Sequence, residues 1–422
     1  MNSRHASFIA AFCIGIAAQS WAAPLSLKDC LEKAGDDNPT LKIAAWESRI
    51  LKENIRNAKA SRFPRVDADA GYIMQKEPQA VIIGGDTAET QEPDFAFAGI
   101  SATYTLYDFG RREAGVKKAE SYTYGAEESF LSSRADVALQ VIEAYFNILE
   151  SDKLLQLTDE EVVQITEHRR IAQALLDEGV VTRNDVLQAD VRLAAAVQKQ
   201  LLAANRLENG WLLLNFLTGS TPEFRAELEE KTSLNFSEDE DDLLKTSDRH
   251  DIIAEKQSLK ASEFEIQENH ENYLPEIYAT LGVDYVQNNK VREQAIYSAM
   301  LGIRVNLFDG YAADALKERA VKQRSKKQDA LATLQQRARL EIRSAQNDAK
   351  VAKKLIRIAG AAMQQSDENL RINRERYEER VGIASEVLDA QTLVTESKTD
   401  YYRAVYNYET ATARLRKALG KL

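Results

Sequence analysis

The chain has 422 residues, with 55 Lys and Arg against 66 Asp and Glu, giving a formal net charge of −11. Such an acidic balance disfavours a nucleic-acid partner. The histidines, His5, His168, His250 and His270, are scattered without metal-ligand spacing, and neither a phosphate-cradling glycine loop nor a nucleophile elbow is present, which argues against an enzyme, a metal or a cofactor.

At the start, Arg4 and His5 precede an apolar run from Phe8 to Ala18, followed by the small residues Ser20 and Ala22. That pattern reads as a secretory signal over 1–22, cut after Ala22, with a core too short to span a bilayer. Cys13 leaves with the signal and Cys30 stays alone, so no intramolecular disulfide is expected. Farther on there is no apolar stretch of about 20 residues, but a spanning β-strand needs only about 9–11 alternating residues.

In chain order, a helical stretch over 40–62 stops before Pro64. A strand follows in which Val66, Ala68, Ala70, Tyr72 and Met74 alternate with Asp67, Asp69, Gly71 and Gln75. The segment Gln75 to Pro93, with Gly84-Gly85-Asp86, reads as a loop. Its partner strand sets Ala96, Ala98, Ile100, Ala102, Tyr104 and Leu106 against Ser101, Thr103 and Thr105. Residues 94–221 contain no proline, which suits a helix over about 110–178, roughly 100 Å long, a turn near Gly179 and a return helix to Gly219. The acidic run Glu238 to Asp242 reads as a solvated linker.

The scheme then recurs. A helix over 250–273 stops before Pro275; Ile277, Ala279, Leu281, Val283 and Tyr285 alternate with Thr280, Gly282 and Asp284. Ala295, Tyr297, Ala299, Leu301, Ile303 and Val305 alternate with Ser298, Gly302, Arg304 and Asn306, and 276–422 is again free of proline. Apolar residues in the long helices step by three and four, as at Ala345, Ala349, Ala352, Ile356, Ala359 and Met363, the pattern of coiled-coil seams.

Leu106-Tyr107-Asp108-Phe109-Gly110 returns as Leu307-Phe308-Asp309-Gly310, with Asp309 201 residues after Asp108. Asp185-Val186-Leu187-Gln188-Ala189 returns as Glu386-Val387-Leu388-Asp389-Ala390, also 201 apart, whereas Pro64 and Pro275 are 211 apart. Two tandem copies follow. The first, 23–222, holds a helix, a β-hairpin over 65–108 and a helical hairpin over 110–217. An acidic linker, 223–242, leads to the second, 243–422, with a helix, a β-hairpin over 276–309 and a helical hairpin over 311–420.

Each strand has one apolar and one polar face. The polar face carries Asp67, Asp69, Asp284 and Arg304, and the apolar one is assigned to lipid because neither copy offers a second sheet or short helix to cover it. Four strands cannot close, and a free sheet edge is untenable in a bilayer, so an oligomer is required. Two chains would give eight strands and three would give twelve; strand counting leaves both open.

Six motifs in order and in duplicate resemble the TolC family of outer-membrane exit ducts. They include Tyr104-x-Leu106-x-Asp108-x-Gly110, Asn306-Leu307-Phe308-Asp309-Gly310, Glu178-Gly179-Val180-Val181 and Leu214-x-x-Leu217-x-Gly219. The resemblance implies a mainly α fold with membrane β. A homotrimer would form a twelve-stranded β-barrel in outer-membrane lipid, continued by a twelve-helix α-barrel across the periplasm. It implies a passive channel for efflux or type I secretion, meeting a periplasmic adaptor and an inner-membrane transporter. By the same resemblance Gly179, Val180, Val181, Arg183, Arg380, Val381 and Gly382 form adaptor-docking tips, while Asp185, Glu386 and Asp389 form an acidic entrance constriction. Arg380 departs from the family, which has glycine there, and Gly382 is the candidate to make that turn instead. A periplasmic adaptor or a structural coiled-coil protein is the alternative.

Overall fold

A computed structural model describes residues 24–230, 249–379 and 381–422. The signal over 1–22, the run Glu238 to Asp242 and Arg380 lie outside the described residues. The fold is mainly helical, with one four-stranded antiparallel sheet and one small hairpin.

Two short helices come first, α1 (Leu27–Asp37) and α2 (Pro39–Ala60). The sequence pattern starts the helical stretch at 40 and does not reveal α1. A capping box starts α1: Ser26 Oγ accepts from Asp29 N (3.2 Å), and Asp29 Oδ2 accepts from Ser26 N (3.1 Å). Asn38-Pro39 both ends α1 and begins α2. Asn38 Oδ1 accepts from Thr40 N (2.9 Å), and Pro39 takes a first-turn position where a missing N–H costs nothing.

The sheet contains β1 (Arg65–Met74), β4 (Asp94–Tyr107), β5 (Glu276–Val286) and β6 (Ala295–Arg304), in the order β1-β4-β5-β6. Between β1 and β4 the segment expected to be a loop holds a hairpin of its own, β2 (Ala80–Ile83) and β3 (Asp86–Glu89). Gly84 and Gly85 have φ of 64° and 102°, the left-handed pair that a two-residue hairpin turn requires, and Val81, Ile82 and Ile83 favour the strand beside it.

The strands lead into helices through one device used twice. Phe109 and Gly110 have φ of 55° and 102°, and Gly310 and Tyr311 have φ of 70° and 67°. Two left-handed residues turn the chain out of the strand. The aspartate of the motif then holds the new helix: Asp108 Oδ2 accepts from Arg112 N (3.0 Å), and Asp309 accepts from Ala312 N (3.0 Å) and Ala313 N (2.9 Å). The helices so begun, α3 (Arg111–Asp177) and α6 (Ala312–Glu378), are each 67 residues, about 100 Å at 1.5 Å per residue. Their return partners are α4 (Arg183–Thr218) and α7 (Ala384–Ala418), and α5 (His250–Glu271) precedes β5. Among the described residues no helix is long and apolar enough to cross a membrane.

The principal core lies midway along the long helices. Val141, Ile142, Tyr145 and Phe146 of α3 meet Cys30 of α1, Trp211 of α4 and Tyr406 of α7. Leu25 and Leu228 form a parallel bridge beside it, and the Tyr145 Oη donates to Glu229 O (2.8 Å) and Leu25 O (3.0 Å). Burial pushes the Cys30 thiol up to about 12, so it behaves as a small apolar residue. Helix α3 packs on α2, α4, α5 and α7, whereas α6 packs on α5 and α7. Exposed aliphatic rows remain on α4 (Leu187, Val191, Leu201) and on α6 (Leu340, Val351, Ile358).

Candidate functional site

Two groups of residues stand about 100 Å apart, one at the helical tips and one on the polar face of the sheet. At the first tip, Val180 N donates to Leu175 O (2.8 Å) and Gly179 N donates to Leu176 O (2.9 Å), a Schellman closure with Gly179 at φ 72°. Val180 is left 67% exposed at the apex. Helix α4 then starts on a capping box. Asp185 Oδ2 accepts from Thr182 N (2.8 Å) and Thr182 Oγ1 (2.8 Å), and those hydrogen bonds hold its carboxyl below the usual range.

The second tip closes with the same long bond, Val381 N to Arg376 O (2.9 Å). Gly382 lies in the bend and its N donates to the same Arg376 O (2.9 Å), without a left-handed backbone. Its need for glycine is proximity: a Cβ would meet Arg376 Cβ and the Tyr377 amide at 3.3 Å. Glu386 holds the place in α7 that Asp185 holds in α4, but the residue before α7 is Ile383 and offers no cap. Glu386 Oε2 instead lies 3.4 Å from Arg376 Nη1. Asp389 accepts from Arg192 of α4 (2.5 Å), a bond between the two hairpins. Ile165, Ala196 and Leu388 pack together nearby, and His168 rests against Tyr377 with ring centroids 6.3 Å apart. Burial pulls the His168 imidazole below its ordinary pKa.

On the sheet, the strand register aligns the faces. Ala68, Ile100, Val283 and Tyr297 form one row of apolar neighbours across all four strands, and Ala70, Ala98, Tyr285 and Ala295 form the next. The opposite face brings Asp69, Gly99 and Asp284 into line. A Cβ on Gly99 would lie 2.9 Å from Asp284 Oδ1 and 3.3 Å from Asp69 Oδ2, so the glycine makes room for two carboxylates. Asp67 is held by Arg65 Nε (2.8 Å). Arg304 lies over the Tyr278 ring at 4.6 Å and 3.9 Å from Glu276, which also accepts from Thr105 Oγ1 (2.6 Å) and Arg111 Nη2 (3.3 Å).

Sequence reasoning named the carboxylates of the tips but not their partners. Arg192 lies 197 residues from Asp389, so no spacing rule links them. Arg376 was detectable: it stands where Leu175 stands 201 residues earlier, and that change brings a cation to Glu386. Val181 and Arg183 lie at the first turn, and Val381 and Gly382 at the second.

The model of the family described as "Outer membrane efflux protein" matches residues 30–220 and 245–421. The chain belongs to the outer membrane efflux protein family. Family membership places it in the outer membrane, reaching into the periplasm. Outer membrane protein TolC of Vibrio cholerae is 20% identical, the match covering 98% of this chain and 94% of that protein. The alkaline protease secretion protein AprF of Pseudomonas aeruginosa is 21% identical over 95% of this chain and 85% of its own. The fold matches the CmeC outer membrane channel of Campylobacter jejuni with a TM-score of 0.83 at 17% identity, covering 100% of this chain and 94% of that one.

Proposed function

We propose that this efflux-family chain is one of three identical staves of a passive exit duct. Three sheets of four strands close a barrel in the outer membrane, and the long helices close a twelve-helix tunnel below it. Each stave consists of two tandem copies, 23–222 and 243–422, joined by the acidic linker 223–242. The tips, Gly179 to Arg183 and Arg380 to Gly382, dock a periplasmic adaptor coupled to an inner-membrane transporter that supplies the energy. The duct itself performs no reaction.

The observation that carries this reading is the sheet. Its apolar rows share one face, Asp67, Asp69, Asp284 and Arg304 share the other, and both edges lack a partner strand among the described residues. In lipid, edges must be paired and the polar face must enclose water. The exposed aliphatic rows of α4 and α6 suit the same closure, since one edge of the helical layer can cover the other in the next copy.

Asp185, Glu386 and Asp389 then ring the periplasmic mouth, with Arg192 and Arg376 as counter-ions. An acidic mouth favours cations. In planar bilayers the wild-type duct passes cations in preference to anions, and replacing Glu386→Gln with Asp389→Asn lowers that preference. Unchanged selectivity removes the ring assignment. A protein that stays soluble in the periplasm without detergent removes the duct itself.

A further inference from the structure

The outer strands β1 and β6 each present one row of backbone groups left unpaired among the described residues. Hydrogen bonds at the strand ends identify the rows. Gln75 N donates to Pro93 O (2.8 Å) in register with the β1–β4 ladder, so odd-numbered residues of β1 bond β4. Val286 N donates to Gln294 O (2.9 Å) in register with the β5–β6 ladder, so even-numbered residues of β6 bond β5. Antiparallel strands bond alternately to either side. Even-numbered residues of β1 and odd-numbered residues of β6 therefore point away from the sheet.

We propose that β6 pairs with β1 of a second copy of this chain in one defined register. It sets Val305 opposite Ala68, Ile303 opposite Ala70 and Leu301 opposite Tyr72, with Arg304 facing Asp69 of the second copy on the polar side. The proposal rests on the outer-membrane barrel reading above. It extends that reading to a named seam and an ion pair across it.

The register comes from the seam inside the chain. There β4 pairs with β5 so that Tyr104 opposes Ala279, Thr103 opposes Thr280 and Ala102 opposes Leu281. Strand β6 begins 201 residues after β4, and β1 begins 211 residues before β5. Shifting each partner by its own offset carries Tyr104–Ala279 to Val305–Ala68, and Thr103–Thr280 to Arg304–Asp69. The backbone gives an independent check. Every pair so obtained joins an odd residue of β6 to an even residue of β1 in the bonded positions, the two rows left free. A slip of one residue would oppose rows already bonded and turn lipid-facing side chains into the lumen.

Charge agrees with the register. Thr103 and Thr280, the in-chain counterparts, touch through their hydroxyls at 3.3 Å. Across the seam the same two places hold Arg304 and Asp69. Arg304 is 65% exposed, with its nearest in-chain carboxylate, Glu276, at 3.9 Å. Asp69 shares the space over Gly99 with Asp284, and a guanidinium from the next copy offsets that crowding of like charges.

Disulfide trapping tests the seam. Ile73 and Met300 fall opposite each other at a non-bonded position, where Cα atoms are about 4.5 Å apart and a disulfide can form. With Cys30→Ala as background, Ile73→Cys with Met300→Cys should oxidise to covalently closed oligomers. The yield should be at least about tenfold above Ile73→Cys with Ser298→Cys, two residues out of register. Arg304→Asp should lower the temperature at which the oligomer dissociates, and adding Asp69→Arg should restore it. The register is overturned if the control pair links as well as the test pair, or if neither links in a protein that still sediments as an oligomer in detergent. A charge swap without recovery overturns the ion pair. A protein monomeric in detergent overturns the barrel reading together with the seam.

Discussion

The two Leu-x-Asp motifs make an internal comparison, because the same aspartate does unequal work in each. Asp108 is 8% exposed, accepts from Gly110 N (3.3 Å) and Arg112 N (3.0 Å), and also pairs with Arg112 Nε (2.9 Å). The Arg112 side chain is itself only 18% exposed. Replacing Asp108 with Ala removes a helix cap, which costs about 0.5–2 kcal/mol. It also strands a mostly buried guanidinium, at about 1–3 kcal/mol, softened because Arg112 keeps a bond to Ser61 O (3.1 Å). A total near 3 kcal/mol corresponds to roughly a 150-fold rise in local opening, at about 1.4 kcal/mol per tenfold. Asp309 is exposed and caps α6 through two backbone N–H groups alone. Asp309→Ala should cost about 1 kcal/mol, roughly fivefold. Native-state amide exchange read by mass spectrometry over 111–117 and 312–318 reports both openings directly. Equal effects within about twofold, or a larger effect at Asp309, would refute the argument that burial and the Arg112 pair set the difference.

Tyr145→Phe keeps the packing against Phe146 but deprives Glu229 O of its donor, whereas Leu25 O retains Glu229 N (3.1 Å). A loss of about 1–2 kcal/mol should speed exchange across 225–230 by roughly 5- to 30-fold; unchanged exchange there would mean the hydroxyl contributes nothing. His168 supplies a pH dependence at the tips. Its folded pKa is lowered by burial, so the unfolded tip binds the proton first. The stability it contributes is present above the ordinary value of about 6.5 and is lost as pH falls through the lowered one. Protection over 165–171, corrected for the intrinsic pH dependence of exchange, should fall as pH drops below the ordinary histidine value in the wild type and stay level in His168→Gln; the same slope in both would exclude His168 as the cause.

Features of the fold that depend on local chemistry are legible in the sequence. Alternation in Val66 to Met74 and Ala295 to Val305 reports a half-apolar sheet because side chains alternate faces with period two. Leu-x-Asp with a glycine one or two residues on marks a strand-to-helix joint because a left-handed pair and a carboxylate are what the joint needs. Helix α1 is hidden since Pro39 reads as a stop when it is also a start. The hairpin β2–β3 is hidden because each strand is only four residues long. Partners of the tip carboxylates are illegible for another reason. Arg192 reaches Asp389 through the packing of α3, α4 and α7, and tertiary packing leaves no mark in the spacing of one chain.

Positions 201 residues apart hold the same place in α3 and α6 but not the same chemistry. Val141, Ile142, Tyr145, Phe146 and Leu149 of α3 correspond to Ile342, Arg343, Gln346, Asn347 and Lys350 of α6. Only Val141 keeps its character, and Ile342 is buried like it. The cause lies in what covers each helix. Helix α1 and the Leu25–Leu228 bridge lie over α3 at that level, so its side chains there must be apolar or, like Tyr145, hydrogen-bonded to the covering chain. Within the chain α6 is packed by α5 and α7, so Arg343 can remain in water. Its neighbours Leu340 and Val351 stay exposed on an adjoining strip of the same helix, an arrangement that a lone chain gains nothing from. Equivalent positions of two helices of equal length therefore differ where the helices meet different neighbours. The same logic bears on the proposed seam: Thr103 and Thr280 touch across strands of one chain, whereas Arg304 and Asp69, as proposed above, have to find each other between two chains and so carry opposite charges.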